Sequence, residues 1–234
     1  MHDRIRDAGD FLLGLALTAL AGWVDGVGFL EFGGFYLSFM SGNTIQIGVG
    51  AAAGDAGHAI QAGGAIGCFV LGAFAGGLLT ASARAWARPV GLFILAGGLA
   101  LAYYLVTRTG AAAIAAVTPV AFCMGLQNHV VSKGRLDSAG TTFVTGALFR
   151  LGDACARVLA RTESIAQPLR ILTVVTCFSL GAFGGAVCSI RYGVVTLTAP
   201  AGAALGFGVI SLLVETVRAF RRRARPAAVM DASA

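Results

Sequence analysis

Four polar clusters stand inside otherwise apolar stretches of this 234-residue chain, and their chemistry is the first thing to weigh. Asp25, in GWVDGVGF, is a carboxylate inside a long apolar run. Such a group can carry a proton, pair with a cation, hydrogen-bond a solute, or clamp the segment that follows it. In a bilayer it costs ~2.5–3.5 kcal/mol on insertion scales, so it normally faces a cavity or a partner. SGNT at 41–44 joins Ser41, Asn43 and Thr44 to Gly42. Two hydroxyls, an amide and a residue permitting close backbone approach can cap a helix start or line a pore. GLQN at 125–128 supplies Gln127 and Asn128, neutral amides able to face the same cavity as Asp25. TTFVTGALFRLGD at 141–153 supplies Thr145 and Arg150 around Gly146, with Arg150 three before Asp153 and Asp153 four before Arg157. Asp25, Ser41, Asn43, Thr44, Gln127, Asn128, Thr145 and Arg150 are therefore the candidate solute-binding set.

The chemistry these residues exclude is equally plain. There is no nucleophile elbow, P-loop, HExxH or paired-carboxylate arrangement, so catalysis is not expected. His129 is a lone histidine near a span end, with no second ligand at metal spacing. Cys68, Cys123, Cys155, Cys177 and Cys188 sit in apolar or small-residue surroundings without a CxxC pair, which reads as packing rather than a disulfide or metal framework. No metal or cofactor is expected.

The elements that must position this set are membrane helices. Apolar residues make up 57% of the chain and charged ones 12%, about half the ~25% of soluble domains. Mean hydropathy is +0.81. Too little polar surface remains to cover a globule, and lipid is the expected partner. The net charge of +6 comes from sixteen Arg and one Lys, and the dense run RRRAR at 221–225 suits anionic headgroups better than nucleic acid.

Apolar stretches at 11–32, 59–82, 89–106, 111–131, 170–190 and 194–216 are each long enough to cross a ~30 Å core as a helix. The first begins like a signal peptide but follows an acidic N-terminus, and reads as an uncleaved span. The stretches 38–53 and 141–160 are shorter or interrupted by charge. If these two do not cross, Arg84, Arg88, Lys133, Arg135, Arg161, Arg170 and the 218–225 cluster share one side with the N-terminus; only Arg108 and Arg191 oppose them. The charge rule thus favours six spans, with both termini cytoplasmic.

SFMSGNTIQIG (38–48) and TFVTGALFRLG (142–152) repeat one hydroxyl–Gly phrase, and CFVLGAFAGG (68–77) returns as CFSLGAFGGA (177–186). The same order at nearly the same offset predicts a duplicated unit of about 105 residues. The expected organisation is an N-terminus at 1–10, repeats at 11–107 and 111–217, and a basic tail at 218–234. Three crossings per unit would turn the second copy upside down, the ground plan of many secondary transporters. The fold class is then an all-α polytopic transmembrane bundle, an inverted 3+3 repeat with six spans and two short or tilted helices. Gly72, Gly76, Gly181 and Gly185 read as close-packing positions, as do Gly42 and Gly146 within the repeated phrase. The Gly-xxx-Gly pairs are also a weak signal for self-association into a homo-oligomer.

GWVDGVGFL, FYLSFMSGNTIQIG, FCMGLQN and TTFVTGALFRLGD together resemble the YoaK-like family of bacterial inner-membrane proteins, a domain of unknown function, over roughly residues 11–218. The resemblance implies a multi-pass protein of the bacterial inner membrane and carries over no binding residues. Two function classes follow from the residues: a transporter or channel for a small solute with its polar site where the repeats meet, or a non-transporting scaffold whose polar groups satisfy one another.

Overall fold

The computed structural model describes residues 2–83, 85–109, 113–131 and 144–223. Arg84, Lys133 and Arg135 of the charge count, the Thr142–Phe143 start of the second phrase, and the tail beyond Arg223 lie outside them. The described chain is helical: α1 (His2–Glu31), α2 (Met40–Ala52), α3 (Ala56–Ser82), α4 (Ala87–Thr109), α5 (Ala113–Val131), α6 (Val144–Leu159), α7 (Ala166–Tyr192), a 3-10 turn (Gly193–Leu197) and α8 (Thr198–Arg223).

Local chemistry sets the breaks. Gly33 and Gly34 take positive φ (75° and 85°), a region closed to most side chains, and end α1. Gly54 stops α2 in the same way, and Asp55 then caps α3 by accepting from the His58 amide at 2.9 Å. The apolar stretches break at Arg191 and resume at 194, yet Gly193 and the 3-10 turn delay α8 to residue 198. At about 20 Å and 24 Å, α2 and α6 are too short to span a ~30 Å core upright. α6 is strongly two-faced. Ala147 and Ala154 pack with Ile171, while Arg157 holds Asp153 at 2.6 Å and Glu163 at 2.8 Å.

Lipid gives no hydrophobic push between helices, so association rests on close packing. α1 lies along α7 and α3 along α5. A Cβ on Gly22, Gly181 or Gly185 would run into the carbonyl oxygens of Phe178, Ala19 or Trp23. Likewise, a Cβ on Gly72 or Gly125 would run into those of Phe122 or Phe69, and one on Gly76 would sit 3.0 Å from that of Leu126. Ala19 and Trp23 facing Gly181 and Gly185 means that α1 and α7 run parallel. Phe122 and Leu126 facing Gly72 and Gly76 says the same of α5 and α3.

Three contacts orient the rest. Phe35, in the loop after α1, stacks on His58 at the start of α3 (centroids 4.5 Å apart). Arg88, at the start of α4, pairs with Asp10 near the start of α1 at 2.7 Å. Gln127, near the end of α5, donates to the Leu17 carbonyl at the middle of α1 at 3.0 Å. Hence α3 returns the chain to the side where α1 began, and α2 stays on the side where α1 ends. Four stretches among the described residues are long and apolar enough to cross a membrane: Ala8–Glu31, Ala56–Ser82, Ala87–Arg108 and Ala166–Phe220. Large apolar side chains such as Ile60, Phe74, Phe183 and Ile190 lie more than 60% exposed, as lipid-facing residues do.

Gly181→Ala and Gly72→Ala should each destabilise the protein by about 1–3 kcal/mol, because a methyl group must force two backbones apart. Gly67→Ala, which meets nothing within 4 Å, should be neutral or gain up to about 1 kcal/mol. Thermal unfolding in detergent checks this; equal midpoints for all three would remove close packing as the cause.

Candidate functional site

The connection from Phe32 to Phe39 is non-helical, and its backbone groups need partners. Asp25 supplies them from one turn and a half before the end of α1. Its Oδ1 accepts from the amides of Leu37 (2.7 Å) and Ser38 (2.6 Å), and its Oδ2 accepts from the Ser38 hydroxyl (2.6 Å). The Phe39 amide lies close to the same carboxylate. Asp25 is 4% exposed, and among the described residues no cation pairs with it.

The repeated phrase adds two more holds on this loop. Asn43 is fully buried and reads both backbone groups of Tyr36: its Oδ1 accepts from the amide (2.9 Å) and its Nδ2 donates to the carbonyl (2.7 Å). Gln46 donates to the Gly34 carbonyl (3.2 Å), and its Oε1 meets His58 Nε2 at 3.1 Å. Gly42 admits the loop's aromatic rings, for a Cβ there would lie 2.5 Å from the Tyr36 ring and 2.8 Å from that of Phe39. The loop so held carries a ring cluster: Phe29–Tyr36 centroids are 5.4 Å apart and Tyr36–Phe39 centroids 5.2 Å apart, the latter edge-on.

These rings form one wall of a cleft of about 480 Å³, within the size range of small-molecule sites. Asp25, Phe29, Tyr36 and Phe39 face Thr145 at the start of α6 and Phe178 on α7, and Gly26, Ala182 and Ala186 line the cleft where α1 and α7 meet backbone to backbone, a Cβ on Gly26 lying 2.6 Å from the Ala182 carbonyl oxygen. One carboxylate among aromatic faces can hold a small solute by charge and ring contact.

Of the sequence-predicted set, the cleft brings together Asp25 and Thr145. Asn43 stands behind it and fixes Tyr36. Thr44 turns back to the Met40 carbonyl at 3.0 Å, and both it and Ser41 are exposed. Gln127 is 1% exposed in the core and joins α5 to α1. Asn128 is half-buried beside it, and Arg150 is half-buried on α6 with Gly146 one turn earlier. Sequence reasoning missed Ser38, Tyr36, Phe39 and Phe178. Ser38 had a signal, since it opens the repeated phrase. The rings had none, because Phe is frequent throughout the chain.

The comparisons with known proteins agree with a membrane assignment. A family described as a protein of unknown function (DUF1275) matches residues 13–210. A UPF0700 transmembrane protein of Rhizobium meliloti (strain 1021) is 34% identical over 197 residues, covering 82% of this chain and 84% of that protein. No solved structure matches. With apolar helices and a transmembrane relative along most of its length, the chain is a membrane protein, and it belongs to the DUF1275 family.

Proposed function

We propose that this protein is a transporter or channel for a small solute, with its site in the Asp25–Thr145 cleft. One observation carries the reading: both copies of the repeated phrase contribute to the same cavity, Phe39 from the first and Thr145 from the second. A carboxylate at membrane depth opening onto such a cavity is the usual mark of a solute or ion path. The narrower kinship with YoaK-like proteins of the bacterial inner membrane belongs to the same reading.

The proposed frame is two inverted halves crossing six times. The Asp10–Arg88, Phe35–His58 and Leu17–Gln127 contacts favour a chain that crosses on α1, returns on α3, crosses on α4 and returns on α5. Ala166–Phe220 has 55 residues, roughly 80 Å as one straight helix, and it breaks at Gly193, which suits two crossings. The glycine contacts support the exchange of halves. Phe178 against Gly22 matches Phe69 against Gly125, Ala19 against Gly181 matches Phe122 against Gly72, and Trp23 against Gly185 matches Leu126 against Gly76. Each match shifts by 103 positions on α1 and α5 and by 109 on α3 and α7. Asp25 then corresponds to Asn128. Lipid surrounds the bundle, the basic tail meets anionic headgroups, and self-association through exposed small-residue faces is compatible with it.

The scaffold reading draws on one fact, that Asp25, Asn43 and Gln46 are engaged by their own loop. Two measurements decide. In a background with the five cysteines replaced, Ala85→Cys should react with a membrane-impermeant maleimide only from the cytoplasmic face; labelling from outside would overturn the six-span frame. In proteoliposomes tested against a panel of small amines, amino acids and organic acids, wild-type protein should raise the flux of at least one member. Thr145→Phe, which narrows the cleft from an exposed position, should cut that flux by about tenfold. No flux above protein-free vesicles would favour the scaffold.

A further inference from the structure

The cleft's charge and its walls disagree, and the disagreement identifies what fits. Every donor to Asp25 is neutral: the amides of Leu37 and Ser38 and the Ser38 hydroxyl. Neutral dipoles stabilise a carboxylate without cancelling its charge, and among the described residues no ammonium or guanidinium does so. The cleft therefore presents a net negative charge in apolar surroundings, where attraction for a cation is least screened.

The walls select among cations. A hard metal ion needs about six oxygen ligands. Beyond the engaged carboxylate, the cleft's side chains offer only the hydroxyls of Tyr36 and Thr145. Its remaining surface is aromatic and small aliphatic: Phe29, Phe39 and Phe178 with Ala182 and Ala186. Ring faces attract ammonium groups through their quadrupoles when the charge lies within about 6 Å of a ring centre.

Resting on the reading of this cleft as the solute site, we infer that it takes a monovalent organic ammonium bearing an apolar group. The ammonium sits against Asp25 and the rings of Tyr36 and Phe39, and the apolar group lies along Phe178 and the α1–α7 seam. The loop cradle is part of the device, because it keeps the carboxylate fixed and oriented while it waits for its counter-ion. The second half carries no equivalent charge at the corresponding position, Asn128, so the recognition is one-sided.

Asp25→Asn separates charge from architecture. An amide oxygen can still accept from the Leu37 and Ser38 amides, so the loop stays held while the charge goes. The probes are 2-phenylethylammonium and its neutral near-isostere 2-phenylethanol, with the full-length protein in nanodiscs. Wild-type protein should bind the ammonium at least tenfold more tightly than the alcohol, and Asp25→Asn should abolish that preference. Should Asp25→Asn not fold, Phe39→Leu provides the second arm: removing one ring face should lower the ammonium-over-alcohol preference by about threefold, and an unchanged preference overturns the inference. Equal binding of both probes by wild type, or a preference that survives in Asp25→Asn, overturns the inference. Proteoliposome uptake of the same probes separates this from the transport reading. Ammonium binding without flux supports the cation site and defeats transport; flux of neutral solutes indifferent to Asp25→Asn keeps transport and defeats the cation site.

Discussion

An apolar medium offers no water to unpaired backbone groups, and the bend between α1 and α2 is where this protein meets that constraint. Non-helical backbone near membrane depth is tolerated only where protein or a cavity satisfies it. Here three side chains take the place of water. Asp25 takes the amides of Leu37 and Ser38, Asn43 takes both backbone groups of Tyr36, and Gln46 takes the carbonyl of Gly34. Losing any of them would leave a buried or part-buried backbone group unsatisfied, at up to about 1–3 kcal/mol each. The aromatic wall of the cleft exists because this loop is fixed, so the polar residues of GWVDGVGF and SGNTIQIG serve architecture first.

The second dependence is on small residues at helix crossings. In α1 with α7, and in α3 with α5, glycine lets carbonyl oxygens approach where a methyl group would block them. Close backbone approach fixes axial register, since a shift of one turn would put a larger residue opposite a carbonyl. Register in turn sets the cleft: Gly22, Gly26, Gly181 and Gly185 lock α1 to α7, and the cleft opens beside Gly26, Ala182 and Ala186.

Much of the fold was legible because lipid simplifies the code. Apolar runs at 59–82 and 111–131 became α3 and α5 almost to the residue, and the short polar stretches 38–53 and 141–160 became α2 and α6. The break before α8 was legible from the gap between 190 and 194, but the helix start at Thr198 was not, since hydropathy does not register that Gly193 takes φ of 61° and a 3-10 turn follows. The site was legible only in part. Asp25 stood out as a charge in an apolar run, and its alternative role as a clamp was visible in principle. Its partners were not, because 12 and 13 positions of separation across a double-glycine bend fix no geometry in sequence. Thr44 and Ser41 carried the right chemistry on the wrong face of α2. Helical phase near a short helix's start depends on where the helix begins, and Phe39 gives no side-chain cap to mark it. Glu215 and Arg218 needed no such phase information, and they meet at 2.6 Å as their spacing of three implies.

Where the two proposed halves differ is more informative than where they agree. Under the proposed exchange, Asp25-Gly26 of α1 stands where α5 has Asn128-His129. On the α5 side, the His129 ring fills the space beside Gly76 and Gly77, its Cδ2 and Cε1 atoms lying 3.2 Å and 3.6 Å from where their Cβ atoms would be. On the α1 side, Gly26 meets α7 backbone to backbone, a Cβ there lying 2.6 Å from the Ala182 carbonyl oxygen, and the cleft opens beside this contact among Asp25, the loop rings and Thr145. Under the proposed duplication, the same crossing carries a histidine ring in one half and a carboxylate beside a bare backbone contact in the other. If the two crossings began alike, the pair Asp25-Gly26 divides the work on α1: Gly26 brings the helix against α7, and Asp25 holds the loop whose rings wall the cleft.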